Sequence, residues 1–187
     1  MKLRYFYVLI IFSLLFIRVL VAQKSDMVFE HITVDNGLSQ NTVSALIQDS
    51  EGFIWIGTYE GLDRYDGYNF KIYEHDPLND KSLSENYIWC LYESSKGDLW
   101  IGTNNGGLNM FDKESETFIR YNYVSGDLNS ISHNHIFTIY EDKKATLWIG
   151  TYSGLNKFDP DKNNFIRFYP DSGSGEENTI FVRIKFV

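Results

Sequence analysis

The sequence predicts an all-β fold built from repeated four-stranded units, and three observations predict it. The string Trp55-Ile56-Gly57-Thr58 returns as Trp100-Ile101-Gly102-Thr103 and as Trp148-Ile149-Gly150-Thr151. The flanks align too: Leu38-Ser39-Gln40-Asn41 matches Leu83-Ser84-Glu85-Asn86 and Ile131-Ser132-His133-Asn134. Nothing between the copies holds a sustained helical period; short apolar runs are bounded instead by Gly, Asp and Asn. A unit that recurs about every 45 residues is the mark of a repeat architecture.

Each unit holds four β-prone segments. The first is Val43 to Ile47, Ile88 to Tyr92 or Ile136 to Tyr140, and the second carries Trp-Ile-Gly-Thr. The third runs from Gly61-Leu62 to Tyr65-Asp66, from Gly107-Leu108 to Phe111-Asp112 and from Gly154-Leu155 to Phe158-Asp159. The fourth is Phe70 to Tyr73, Phe118 to Tyr121 or Phe165 to Phe168. The connections are too short for helical crossovers, so the strands pair antiparallel. Gly52 and Gly97 end the first turn, where φ > 0 costs glycine nothing. Ala145 replaces that glycine in the third copy, and a different turn is expected there. The architecture is a β-propeller with blades at about 38–73, 83–121 and 131–169, within a propeller region spanning 28–187. Asn178-Thr179-Ile180-Phe181 begins a fourth unit at 178–187. Propellers close with about four to eight blades, so an incomplete ring and a truncated fragment of a longer protein are expected. In a full-length ring, the segment from Val28 to Val34 is expected to pair with the last blade.

Within the repeated string, Trp55, Trp100 and Trp148 are expected on one face of the strand and the neighbouring Ile on the other, so that both faces of a blade meet a neighbour. Gly57, Gly102 and Gly150 are expected to permit close backbone approach between blades. The threonine ends the strand and bonds locally. These roles are structural.

Composition narrows the function. The chain of 187 residues is 43% hydrophobic and 17% aromatic, with a formal net charge of -8. Such an acidic chain is repelled by phosphate backbones, which argues against a nucleic-acid partner. Cys90 is the one cysteine, so no disulfide framework exists, and its apolar surroundings predict a buried small hydrophobe. Lys2 and Arg4, then an apolar run from Tyr5 to Ile17, then Ala22 before a polar stretch read as a signal peptide over 1–22. Arg18 cuts the apolar run short of the roughly 20 residues that span a bilayer. An uncleaved signal anchor is the other reading, and no further membrane span is expected.

The string Asn36-Gly37-Leu38-Ser39-Gln40-Asn41-Thr42-Val43, followed by Asp49 to Thr58 and by Gly61-Leu62-Asp63-Arg64-Tyr65-Asp66-Gly67, resembles the two-component regulator propeller repeat. The likeness extends from about residue 28 to 169. It implies the sensor region of a hybrid two-component histidine kinase, exported to the periplasm and tethered to the inner membrane in full-length relatives. Such relatives place a kinase core, a receiver and a DNA-binding domain beyond the membrane and respond to carbohydrates. This chain has no phosphoacceptor-histidine motif and no nucleotide-binding glycine motif, so it is expected to bind rather than catalyse. The expected partners are an oligosaccharide ligand and the remaining blades and kinase region. A stand-alone secreted binding or adhesion scaffold is the alternative reading, and a polysaccharide-processing propeller a third.

Most Asp and Glu residues recur at turn positions, where local hydrogen bonds account for them. Neither a catalytic residue nor a cofactor is assigned. His133 and His135 share a face in an extended chain but have no third ligand in view, and Asp159 to Asn163 opens like a calcium loop but lacks its Gly and closing Glu. No metal site is assigned. Aromatics that break the repeat, namely Tyr59, Tyr68, Trp89, Tyr123 and Tyr152, are free of a packing duty shared by all copies. Tyr59 and Tyr152 follow Trp-Ile-Gly-Thr where the second copy has Asn104. Tyr59, Asn104 and Tyr152 are therefore the expected ligand-binding residues on one rim.

Overall fold

A computed structural model describes Phe29 and residues 31–169. The expected signal peptide and the start of a fourth blade lie outside the described residues. A 3-10 turn, Val34–Asn36, leads into three sheets. The first contains β1 (Val43–Gln48), β2 (Ile54–Thr58), β3 (Leu62–Tyr65) and β4 (Phe70–Tyr73). The second contains β5 (Ile88–Glu93), β6 (Leu99–Thr103), β7 (Leu108–Asp112) and β8 (Thr117–Tyr121). The third contains β9 (Ile136–Glu141), β10 (Leu147–Thr151), β11 (Gly154–Asp159) and β12 (Asn164–Phe168). In each the strands lie side by side in chain order, and every pairing is antiparallel. The innermost strands β1, β5 and β9 approach one another, so the sheets stand as adjacent propeller blades.

Two apolar clusters hold the blades together. Trp55, Leu62 and Tyr73 of blade 1 pack with Ile101, Phe111 and Phe118 of blade 2. Trp100 and Leu108 of blade 2 pack with Ile149, Phe158 and Phe165 of blade 3. Trp55 and Trp100 thus face the following blade, and Ile101 and Ile149 the preceding one, as strand alternation requires. The edge of a phenylalanine meets the indole in both: Trp55 lies 5.0 Å from Phe111, and Trp100 lies 5.2 Å from Phe158.

The glycine of the string works differently from expectation. A Cβ on Gly57 would lie 2.5 Å from Ile88 Cγ2 of the next blade. One on Gly102 would meet Cys90 Sγ at 2.5 Å and Ile136 Cγ2 at 2.7 Å. A side chain, rather than backbone, fills the space in both. Gly150 makes room for Thr138 of its own blade. Burial pushes the Cys90 thiol up to about 12, so it sits there as a neutral hydrophobe.

The turn at Ala145 also departs from expectation. Gly52 N–H bonds to Asp49 O, Gly97 N–H to Ser94 O and Ala145 N–H to Asp142 O, so the three turns are alike. Ala145 reaches this geometry at φ 57, in the left-handed region that a Cβ disfavours.

Polar clasps add direction. The Ser50 N–H and hydroxyl both donate to the Glu93 carboxylate of blade 2, at 2.8 Å each. Ser95 repeats the pair with Glu141 of blade 3, at 2.7 and 2.8 Å. Inside each blade the serine of the Leu-Ser motif meets a fully buried partner on the third strand: Asp63, Asn109 or Asn156. The strand-ending threonines donate to Gly61, Gly107 and Gly154 carbonyls, the local bonding their position predicts.

Candidate ligand-binding rim

One feature of the inner strands builds the rim. Each carries a β-bulge near its start: between Val43 and Ala45, between Ile88 and Cys90, and opposite the Gly150/Thr151 step of β10. The extra residue is Ser44, Trp89 or Phe137. A bulge bends its strand and re-aims the side chain it carries. Ile88 and Ile136 on one side of it stay buried, while Trp89 and Phe137 turn out to solvent. In blade 1 the equivalent Ser44 hydroxyl donates instead to the Gly57 and Ile88 carbonyls.

The loops between second and third strands close over the same end. Asn104 N–H donates to Tyr87 O, and Tyr152 N–H to His135 O. In blades 2 and 3 the loop residue after Trp-Ile-Gly-Thr is thereby held beside the start of the inner strand, just ahead of the bulge. The outcome is a run of rings across three blades. Tyr59 lies 4.0 Å from Tyr87, which lies 5.7 Å from Trp89. Trp89 then meets His135 at 5.2 Å and Phe137 at 6.1 Å in blade 3. Tyr152 ends the run, 5.4 Å from His133 and 6.4 Å from Phe137. Trp89 is 37% exposed and Tyr152 68%, so the faces are open.

The polar groups here are few. A hydrogen bond with the Tyr59 hydroxyl, together with burial, pushes the Tyr87 phenol up to about 12. Burial, aided by repulsion from His133 and opposed by Glu85, holds His135 below the usual imidazole range. Its Nε2 is buried and reaches no hydrogen-bond partner. Glu85 accepts the Asn105 and Gly106 N–H groups, at 2.5 and 2.8 Å, and fixes the loop that carries Asn104. A recess of about 430 Å³ lies there, lined by His75, Ser84, Glu85, Asn86, Asn105 and Gly106.

Of the expected site residues, Tyr59 and Tyr152 stand at the two ends of the run and Asn104 sits on the loop between them. Trp89 joins them. Tyr68 and Tyr123 do not: Tyr68 occupies an exposed turn between β3 and β4, and Tyr123 lies under the Arg167 guanidinium. Tyr87, Phe137 and the recess around Glu85 were not anticipated as site features, because the bulge that groups them leaves no mark in residue type. His133 and His135 do share a face, against Tyr152, with the His133 Nδ1 accepting the His135 N–H. Among the described residues no group of three or more His, Cys, Asp or Glu converges to hold a metal. No described helix is long and apolar enough to cross a membrane.

Comparison with known proteins agrees with this architecture. The family model described as two component regulator propeller matches residues 37–60, 82–105 and 130–153. A stretch of 73 residues is 45% identical to Histidine kinase P4 from Formosa agariphila, covering 39% of this chain and 5% of that protein. The extracellular domain of the hybrid two component system BT3049 from B. thetaiotaomicron superposes with a TM-score of 0.70 at 29% identity, over 75% of this chain and 20% of that one. The extracellular domain of the one component system BT4673 from the same organism gives 0.59 at 29% identity, over 71% and 19%. The chain therefore spans a small part of the kinase and about a fifth of either solved domain. The chain thus carries three stretches similar to the two component regulator propeller repeat, one in each of its three described blades.

Proposed function

We propose that this chain contributes three blades to the periplasmic sensing propeller of a two-component sensor, and that it binds an oligosaccharide through Tyr59, Asn104 and Tyr152 together with Trp89. The observation that carries the reading is the run of open ring faces across three blades. Flat apolar faces suit the C–H faces of sugar rings, and the amides and carboxylate around Asn104 and Glu85 suit hydroxyl groups. A ligand lying along the run touches all three blades at once, so its binding energy favours one blade arrangement over others. The likeness to a histidine kinase and to two extracellular sensor domains supports the signalling half of the reading. Export to the periplasm, tethering in the full-length protein and a binding rather than catalytic role for these blades belong to the same proposal.

The test is to place the chain's blades in a sensor kinase reporter and measure phosphotransfer against a panel of glycans. Glycan-dependent output that Tyr152→Ala abolishes supports the reading. An output indifferent to every glycan sinks it.

A further inference from the structure

Resting on that glycan reading, we infer that the ligand is a neutral oligosaccharide rather than an anionic one. The argument comes from where the charges lie. Neither the rings of the rim nor the residues of the adjoining recess include a lysine or arginine. The charged group of the recess is Glu85, and Glu60 stands exposed next to Tyr59.

The described cations lie elsewhere: Lys162 pairs with Asp159, Lys81 acts on Asp112 beside the β7–β8 turn, and Lys157 sits within β11 opposite Trp148. Arg64 and Lys71 both pair with Glu116, and Lys113 pairs with Glu51. Arg120 and Arg167 are spent on carbonyls of the blade-to-blade connectors. Lys96, Lys143 and Lys144 lie on the turns between the first and second strands, at the end of the blade opposite the rim. Proteins that take sulfated or uronic sugars need cationic partners, because a carboxylate or sulfate brought into an acidic, partly desolvated site has nothing to replace its water. With the whole chain at -8, the long-range field repels such ligands as well.

His135 adds no cation to the rim. Held below the usual imidazole range, the ring is neutral near pH 7 and offers no charge to an anion.

Calorimetric titration of the chain distinguishes the outcomes. The probes are cellohexaose, xylohexaose and mannohexaose, a hexagalacturonate, a heparin-derived hexasaccharide, and a chitosan hexamer as the cationic control. At least one neutral hexaose is expected to bind at least tenfold more tightly than either anionic probe. Trp89→Ala is expected to weaken it at least tenfold, Trp89→Phe to retain most of the affinity, and Tyr68→Ala on the distant turn to leave it unchanged. Glu85→Gln, which keeps an acceptor for the Asn105 and Gly106 N–H groups, is expected to raise the affinity for hexagalacturonate. An anionic or cationic probe that binds as well as the best neutral one overturns the inference and leaves the glycan reading standing. Failure of the whole panel overturns the glycan reading itself. Neutral binding indifferent to Trp89→Ala and Trp89→Phe overturns the assignment to this rim.

Discussion

Blades 1 and 3 repeat the same four strands around the same string, yet Trp55 is 1% exposed while Trp148 is half-buried. The difference lies in the neighbour. Trp55 is covered by the Phe111 ring of blade 2, whereas the ring against Trp148 among the described residues is Phe168 of its own blade, itself 46% exposed. Both indoles donate to an aspartate of the first turn, Trp55 to Asp49 at 2.7 Å and Trp148 to Asp142 at 3.0 Å. The polar anchor is thus a property of the blade, and the apolar burial a property of the interface. Stability in such an array resides in pairs of blades as much as in single ones.

Removing the tryptophans breaks the comparison most sharply. Trp55→Ala is expected to cost about 3–5 kcal/mol, the range for deleting a fully buried indole. Trp148→Ala is expected to cost less than half as much in the same chain. Denaturant unfolding followed by far-ultraviolet circular dichroism measures both; equal losses would show that Trp148 is covered as Trp55 is.

Next in size is Gly102→Ala. The added methyl group meets Cys90 Sγ and Ile136 at once, and overpacking of this kind costs about 1–3 kcal/mol. Gly102→Ala combined with Ile136→Val should recover part of the loss. No recovery would place the strain on the Cys90 side.

The buried polar position sharpens the comparison through its charge. In blade 3, Asn156 Nδ2 donates to Ser132 Oγ, Ser132 meets Thr151 Oγ1 at 2.7 Å, and Thr151 donates to Gly154 O. Every hydrogen has a destination. In blade 1 the Ser39 hydroxyl lies 2.6 Å from Asp63 Oδ2 and 2.8 Å from Thr58 Oγ1. Gly61 O already accepts the Thr58 N–H, so the Thr58 hydroxyl is free to donate to Ser39 while Ser39 donates to the Asp63 carboxylate, which leaves a buried charge where blades 2 and 3 have a neutral amide. Burial raises the Asp63 carboxyl above its ordinary value against the Ser39 hydrogen bonds, and Glu74 adds to the rise. A raised folded value means that the folded state holds the proton more tightly than the unfolded state. Its contribution is complete below the ordinary carboxylate value of about 4 and is lost as pH rises through the folded value. Asp63→Asn should therefore gain about 1 kcal/mol near pH 7 and flatten that part of the stability profile. A loss of stability near pH 7 would contradict the burial penalty on the Asp63 carboxylate.

His135 titrates with the opposite sign. Its folded value is depressed, so the unfolded chain binds the proton more readily, and stability is lost as pH falls below about 6.5. His135→Gln should remove this dependence while leaving the blade-to-blade clusters unchanged. A pH titration of the unfolding midpoint between 5 and 8 reads the difference.

The smallest effect is expected at the turn. Ala145→Gly relieves a left-handed Cβ but frees the unfolded chain, for a net gain of about 0.5 kcal/mol. The reverse change at Gly52, whose φ is 95, should cost a comparable amount.

Much of this fold is legible in residue order because a repeat states its own period. Trp-Ile alternation assigns the two faces of β2, β6 and β10 without coordinates. The short Gly- and Asp-containing connections make antiparallel pairing the available solution. The Ala145 turn was misread because residue preference is weaker than the hydrogen bonds that the flanking strands impose: Asp142 N–H to Thr146 O closes the hairpin regardless. The ends of the rim, Tyr59 and Tyr152, were legible as departures from the repeat. Its middle was not.

By itself, then, the sequence determined the repeat, the strand order, the residues that face each neighbour and the acidic balance of the chain. These follow from local propensity and a two-residue alternation, which need no knowledge of distant contacts. The tertiary structure decided that Ile88 and Ile136, not backbone, fill the space beside Gly57 and Gly102, and that a bulge turns Trp89 and Phe137 outward. A bulge inserts one residue against a partner strand, so it reverses the alternation from which sidedness is read. Only the pairing of β5 with β6 and of β9 with β10 reveals it.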